Sequence, residues 1–471
     1  MSVKFALPTG DYRAAVGTML AEAGIATAGY EPSSRVLRSV LEDDGLVLRV
    51  FRERDIPVQV ALGNYHLGIC SDTWLEELQV RFPLQRIVRI GGLPSAQTEI
   101  WLCAAPASGL KEGQVPRGDA LAGARIVSEL PNLVDLVSVH LRVPGYRMLA
   151  VAGSADAYPP DDADLVLMPA DNADAIRRKG LVPLHRIFRG GLGLIANADA
   201  LGSRDLAPIL SRLAPLLSAE RPQLTLPTGS AGVPAMVRAE RDTAVLRMAV
   251  PDGHAQRATP GCLRQAGLEF EGYDEKAYQR RPVSGIPGLE VKVVRPQDMP
   301  QLVAMGMFDI AISGRDLLHE HRCKFPDSPV EMAVDLGQNL YRIGPVVDAA
   351  FPAETTAEAI AIWNGLGRPV RIASEFPSTA ERFALDHNLR HTTIIPVAGA
   401  SEGFVPEDAD FLVEGTETGT SIRANGLKML DAFMESTNCV LVRRNPVTTQ
   451  TDLLADLVGR FERAAKAVEV G

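Results

Sequence analysis

Cysteine, aromatic residues and long apolar runs are all scarce in this 471-residue sequence, and each scarcity excludes something. The five cysteines, Cys70, Cys103, Cys262, Cys323 and Cys439, lie far apart with no CxxC among them. An odd, scattered set is no disulfide framework and reads as buried thiols in a reducing compartment. No run of about 18 apolar residues occurs, so no membrane-spanning helix and no membrane partner are expected. The opening MSVKFALPTG lacks a charged region followed by an apolar one, so no signal peptide is expected and the expected location is the cytoplasm. Blocks of positive charge are missing too: 48 Lys+Arg against 58 Asp+Glu leave a net charge of −10. That excludes nucleic acid as a partner but leaves room for a local basic pocket that takes a phosphorylated small molecule.

What is present is globular: apolar residues make up 46% and charged residues 23%, which excludes disorder, collagen and coiled coil as the main organisation. The length allows about three domains. The chain also repeats itself. FALPTG (Phe5 to Gly10) returns as MAVPDG (Met248 to Gly253), and RERDIPVQVALGNYHLGI from Arg52 returns as RPQDMPQLVAMGMFDIAI from Arg295, both 243 residues on. ARIVSELPNL returns as VRIASEFPST, and ADLVLMPADNADAIRRKGL from Ala163 as ADFLVEGTETGTSIRANGL from Ala409, both 246 residues on. Four collinear matches with one net three-residue insertion describe a tandem duplication. The copies span 1–220 and 243–471, and the Pro-, Gly- and Ser-rich stretch 221–242 reads as their linker. Short apolar runs alternate with amphipathic segments in each copy, which predicts an α/β fold with ligands at the carboxyl ends of its strands.

The segment 408–427, DADFLVEGTETGTSIRANGL, carries the most chemistry. An apolar strand runs into Glu414, then Gly415, Thr416, Glu417, Thr418, Gly419, Thr420 and Ser421, then a short helical stretch. Small residues let backbone N–H groups converge on an anion, hydroxyls add donors, and a carboxylate just before the loop suits the hydroxyls of a sugar. By itself the pattern also fits an ordinary strand-to-helix turn.

These residues resemble the phosphoribosyl-pyrophosphate (PRPP) loop of the ATP phosphoribosyltransferase family. MAVPDG, FDIAISGRDLL and VRIASEFPSTAERF carry the same resemblance, in the family's order, over most of 245–445. It implies two tandem copies of a two-lobed fold like type II periplasmic binding proteins, with the site in the cleft. It also implies the reaction, in which N1 of ATP displaces pyrophosphate from C1′ of PRPP with Mg²⁺. Thr416, Glu417, Thr418, Gly419, Thr420 and Ser421 would hold PRPP, with Glu414 on the ribose. Pro251, Asp252, Gly253, Arg295, Arg315 and Asp316 would line the ATP side of the cleft. No protein metal site is expected. His387 and His391, four apart, read as an exposed helix face, and His319-Glu320-His321 as a loop. The terminal segment 451–468 is amphipathic and reads as a cover for the core.

The first copy has lost the loop chemistry. At the offset of 246, EGTETGTS becomes MPADNADA, and SGRD becomes CSDT slightly earlier. Asp171 and Asp174 would oppose a phosphate. The first copy keeps Arg35, Arg52 and Arg54. In the short form of the family a dimer partner lends an arginine to the neighbouring cleft, so the chain reads as a fused pseudo-dimer with Arg35 and Arg52 acting on the second copy's site. The bland alternative is that these arginines are solvated. The histidine-sensing C-terminal domain of long-form members is not expected. Control would then rest on a separate regulatory subunit, on a site in the first copy, or be absent; a homo-oligomer is left open. Two other readings are a phosphoribosyltransferase for another nucleobase-like acceptor and a non-catalytic ligand-binding protein.

Overall fold

The computed structural model describes residues 2–25, 28–41, 45–230 and 232–469. Its strands pair twice in one order. Val3–Pro8 lies between Leu46–Phe51 and Leu67–Ser71, all parallel, with Val3 opposite Leu46. Leu246–Pro251 lies likewise between Leu289–Val294 and Ile310–Gly314, with Leu246 opposite Leu289. The same 243-residue offset (246 − 3 and 289 − 46) therefore sets sequence repeat and sheet register alike. These strands read as near-continuous apolar runs because helices cover both faces of a parallel sheet.

Each copy is two-lobed, with lobe II inserted into lobe I. In the first copy two long antiparallel strands, Ile87–Ala104 and Val182–Asn197, carry the chain out of lobe I and back, so one ten-stranded sheet runs through both lobes. In the second copy the outward passage breaks between Val330–Asp335 and Tyr341–Asp348, where Gly337 and Asn339 take positive φ angles of 65° and 57°. The return breaks before Asn438–Arg443, and the lobes keep separate five- and six-stranded sheets.

Lobe I of each copy packs on lobe II of the other. One shared core joins Ala6, Phe51 and Ile56 to Val346, Ala373 and Leu412; a second joins Val127, Val166 and Met168 to Ala249, Val294 and Met299. Polar seams repeat in the same sense. Asp55 accepts the Ala398 N–H at 2.9 Å, and Asp298 accepts the Ala152 N–H at 3.0 Å. Arg49 donates to Glu407 at 2.6 Å, while the buried Lys292 ammonium lies 2.6 Å from Asp161 and 2.9 Å from Asp162. The arrangement is an internal pseudo-two-fold, the isologous interface of a dimer within one chain.

Three sequence expectations are corrected or sharpened here. The stretch 221–242 is no free tether: Gln223–Leu224 adds a strand to Val182–Asn197, Val233 and Met236 pack on the lobe II core, and Arg241 donates to Asp309 at 2.7 Å. His319-Glu320-His321 is not a loop but part of the helix Arg315–Lys324. There the Glu320 carboxylate accepts the N–H groups of Ser378 and Thr379, at the start of the helix Pro377–Asp386. The terminal helix Thr451–Glu469 does cover the lobe I core, burying Leu457, Phe461 and Ala464. Among the described residues no helix is long and apolar enough to cross a membrane.

Candidate active site

A cleft of about 670 Å³ opens between the lobes of the second copy. Lobe I contributes the turn Asp252-Gly253-His254 at the carboxyl end of Leu246–Pro251, with Arg295 and Asp316 at the ends of neighbouring strands. Lobe II contributes Glu375 and the loop that follows Phe411–Thr416, including Thr416, Glu417, Thr418, Thr420 and Ser421. Arg35, from the first copy, also lines this cleft. Asn425 holds that segment in place: its side chain donates to the Arg35 carbonyl at 3.1 Å and accepts the Leu37 N–H at 2.7 Å. An asparagine just past the loop thus fastens the other half's arginine to the site.

In the loop, Gly419, at φ 68°, precedes the short helix Thr420–Ala424, and no side chain caps that helix, although the Ser421 hydroxyl donates to Glu402. The hydroxyls of Thr418 and Thr420 lie 2.9 Å apart, while the Thr416 hydroxyl accepts the Gly419 N–H at 2.8 Å. Across the cleft, His254 Nδ1 stands 3.7 Å from Glu417 and links the lobes. In the first copy the matching turn is closed by its own side chain: Asn172 caps Ala173–Arg178 by accepting the Ala175 N–H at 3.0 Å. Ser436 and Thr437, where the second copy's lobes meet, become Gly190 and Gly191 in the first. There Asp72 is consumed by Arg89 at 2.6 Å and by the Gly191 N–H at 3.1 Å.

Several residues singled out from the sequence stand elsewhere than expected. Glu414 lies behind the loop, buried, its carboxyl accepting the Ser401 hydroxyl and the Gly415 N–H. Burial, reinforced by the neighbouring Glu375 and Glu402 charges, pushes its pKa up to about 8, so it is largely protonated at neutral pH. Arg52 does not line the cleft of the second copy; it packs on Gly399 beside the Glu375 carboxylate, which its charge favours. Arg315 turns away to pair with Asp335 at 2.9 Å. Asp316 lines the cleft but accepts the Ser436 hydroxyl at 2.8 Å. Pro251 is buried beneath the turn, its carbonyl accepting the Tyr273 hydroxyl at 2.6 Å. Asp252 is buried, taking Arg295 on one oxygen and Ser154, Tyr278 and Arg280 on the other.

Sequence reasoning passed over Tyr341 and Glu375, which both line the cleft. Glu375 could have been found: it stands one residue beyond the strand in the VRIASEFPST match. Tyr341 carries no such signal. His387 caps the end of the helix Pro377–Asp386, its Nδ1 pairing with the Phe383 carbonyl at 2.9 Å, and His391 lies beyond that helix, so the two do not share a helix face. No group of three metal-ligating side chains occurs among the described residues.

The family model described as ATP phosphoribosyltransferase matches residues 52–215 and again 295–463. The ATP phosphoribosyltransferase of Chlorobium chlorochromatii is 28% identical over 201 residues, covering 42% of this chain and 64% of that protein. The one from Chelativorans sp. is 28% identical over 229 residues, 46% of this chain and 98% of its own length. The chain thus spans under two thirds of the first of these relatives and nearly all of the second. Among solved structures, the ATP phosphoribosyl transferase (HisG:HisZ) complex from Thermotoga maritima matches at 21% identity and a TM-score of 0.38, over 47% of this chain and 98% of that one. The ancestral amino-acid-binding protein AncCDT-1 matches at 15% identity and a TM-score of 0.30, over 47% of this chain and 90% of that one.

Proposed function

Since the chain belongs to the ATP phosphoribosyltransferase family, we propose that it condenses ATP with PRPP to N1-(5-phosphoribosyl)-ATP and pyrophosphate, the first step of histidine biosynthesis. The observation that carries this reading is the contrast between the two loops at one register position. The second copy keeps an uncapped, hydroxyl-rich turn facing a cleft, whereas the first closes its turn with Asn172.

In this reading the hydroxyls of Thr416, Thr418 and Thr420 hold the 5′-phosphate with backbone N–H groups of the turn, while the Ser421 hydroxyl donates to Glu402. Glu375, the carboxylate that faces the cleft beside the loop, accepts from the ribose hydroxyls, and Glu414 props the loop from behind. The adenine N1 lone pair forms the new bond to C1′ while the C1′–oxygen bond breaks and its electron pair leaves with pyrophosphate. No protein nucleophile is needed; positioning and charge stabilisation supply the rate. Arg35 and Arg295 face that leaving charge from opposite copies, and a guanidinium fork suits a diphosphate. Asp252, though acidic and beside the ATP side, is neutralised by Arg280 and Arg295.

In this reading a magnesium ion arrives on the substrate's phosphates, and the carboxylate of Glu375 on the cleft wall suits such an ion. Glu375 would meet its water shell, and the ion would neutralise charge on the departing pyrophosphate.

The test is turnover by the purified chain with ATP, PRPP, Mg²⁺ and pyrophosphatase, followed by the ultraviolet change on adenine N1 alkylation. Turnover abolished in Thr418→Ala/Thr420→Ala and retained in Asp174→Ala assigns the reaction to the second copy. PRPP-dependent stabilisation without turnover would point to another acceptor, and neither signal would overturn the reading.

A further inference from the structure

Tyr341 opens the strand Tyr341–Asp348 on the wall of the cleft, and its ring lies directly over Gly415. A Cβ at position 415 would sit 1.8 Å from Cε1, 2.3 Å from Cζ and 2.6 Å from the hydroxyl oxygen of that ring. A side chain at position 415 would therefore collide with the ring, and glycine there leaves it room. The hydroxyl makes no hydrogen bond among the described residues, although it is partly buried at the lip of the loop. Burial and the surrounding carboxyls of Glu414, Asp316, Glu375 and Glu402 push its pKa up and keep the proton in place, so the group is a neutral donor in an acidic setting.

The internal duplication supplies a second, independent observation. In the second copy Gly344 faces Glu414 and Ile343 faces Gly415; in the first, Trp101 faces Met168 and Ile100 faces Pro169. On that common register Tyr341 corresponds to Thr98 and Gly415 to Pro169. The copy that lost the loop hydroxyls has thus lost the ring and the glycine beneath it together. A ring that served only to pack lobe II would have no reason to disappear with the loop, since both copies keep lobe II.

We propose that Tyr341 is a binding residue for the phosphoribosyl substrate, its ring walling the sugar subsite beside Gly415 and its hydroxyl donating a hydrogen bond to a substrate oxygen. This rests on the PRPP reading of the cleft. Loss of one such bond weakens binding about five- to tenfold. With the full chain and PRPP–Mg²⁺ as probe, Tyr341→Phe keeps the ring and is expected to leave the ligand-free Tm within about 1 °C while raising Kd and KM for PRPP by that factor. Gly415→Ala should lower both Tm and PRPP affinity. Adding Tyr341→Ala to Gly415→Ala should restore the Tm but not the affinity, which a merely structural pair would not do. A wild-type chain that binds PRPP with Tyr341→Phe binding equally well overturns this assignment alone. A wild-type chain that shows no PRPP binding overturns it together with the reading beneath it.

Discussion

At Glu414 burial and crowding by like charge act in the same direction, and both favour the protonated form. The folded-state pKa of about 8 stands above the ordinary value of 4.5. Its stabilising contribution is therefore complete below the unfolded value and is lost as pH rises through about 8. Glutamine imitates the neutral acid, so Glu414→Gln should flatten the fall in Tm between pH 5 and pH 8.5 relative to wild type (about the span of the shift). Parallel Tm–pH curves for the two proteins would refute the neutral carboxyl. Arg35 presents the opposite case, an exposed side chain whose removal should not disturb folding. Arg35→Ala is expected to keep its Tm within about 1 °C and to lose turnover by about 10- to 100-fold, the worth of one charge-assisted bond to the leaving group. Full turnover in that variant would return Arg35 to the solvated reading.

Among the elements, the loop between Phe411–Thr416 and Thr420–Ala424 depends on Gly419, whose φ of 68° favours glycine. A methyl group there would also approach the Arg423 guanidinium to 2.7 Å. Gly419→Ala should cost about 1–2 kcal/mol locally and reduce the PRPP-induced Tm shift, measured by differential scanning fluorimetry. An undiminished shift would show that the phosphate does not use this turn. The terminal helix makes a purely structural contrast. Phe461 is fully buried in the lobe I core, so Phe461→Ala should lower unfolding free energy by about 3–5 kcal/mol in urea.

In the whole molecule, the two copies share cores and cannot be separate folding units joined by a string. Lys292 is buried between Asp161 and Asp162 of the other copy, where its desolvated charge needs both partners. Without it Asp161 keeps Arg281 and Asp162 keeps Arg247, so Lys292→Ala should destabilise the chain by less than the ~3–5 kcal/mol of a fully orphaned buried pair. Trp74 and Trp101 report on the first copy and Trp363 on the second, so a Trp363→Phe chain follows the first half and a Trp74→Phe/Trp101→Phe chain the second. Coincident unfolding transitions are expected; a first transition confined to one copy would contradict the shared cores. The same cross-packing explains why a copy without loop chemistry persists: it supplies half of each core and the Arg35 segment on the second copy's cleft.

The sequence alone determined the duplication, the α/β alternation, the hydroxyl-rich loop at 416–421 and its decay in the first copy. All of these are carried by contiguous residues whose spacing and chemistry are local. The tertiary structure decided what depends on partners far along the chain. Asn425 grips the backbone of residues 35–37, the Glu414 side chain closes onto Ser401, and Arg315 turns to Asp335. Arg52, alike in sequence to Arg295, is carried by its lobe to Glu375 instead of into the cleft of the second copy. Tyr341 was invisible for the same reason, since only the pairing of its strand with Phe411–Thr416 sets the ring on Gly415. Periodicity reports which face of an element is apolar, whereas the crossing of lobes between copies is fixed by packing between surfaces that no single stretch of sequence contains.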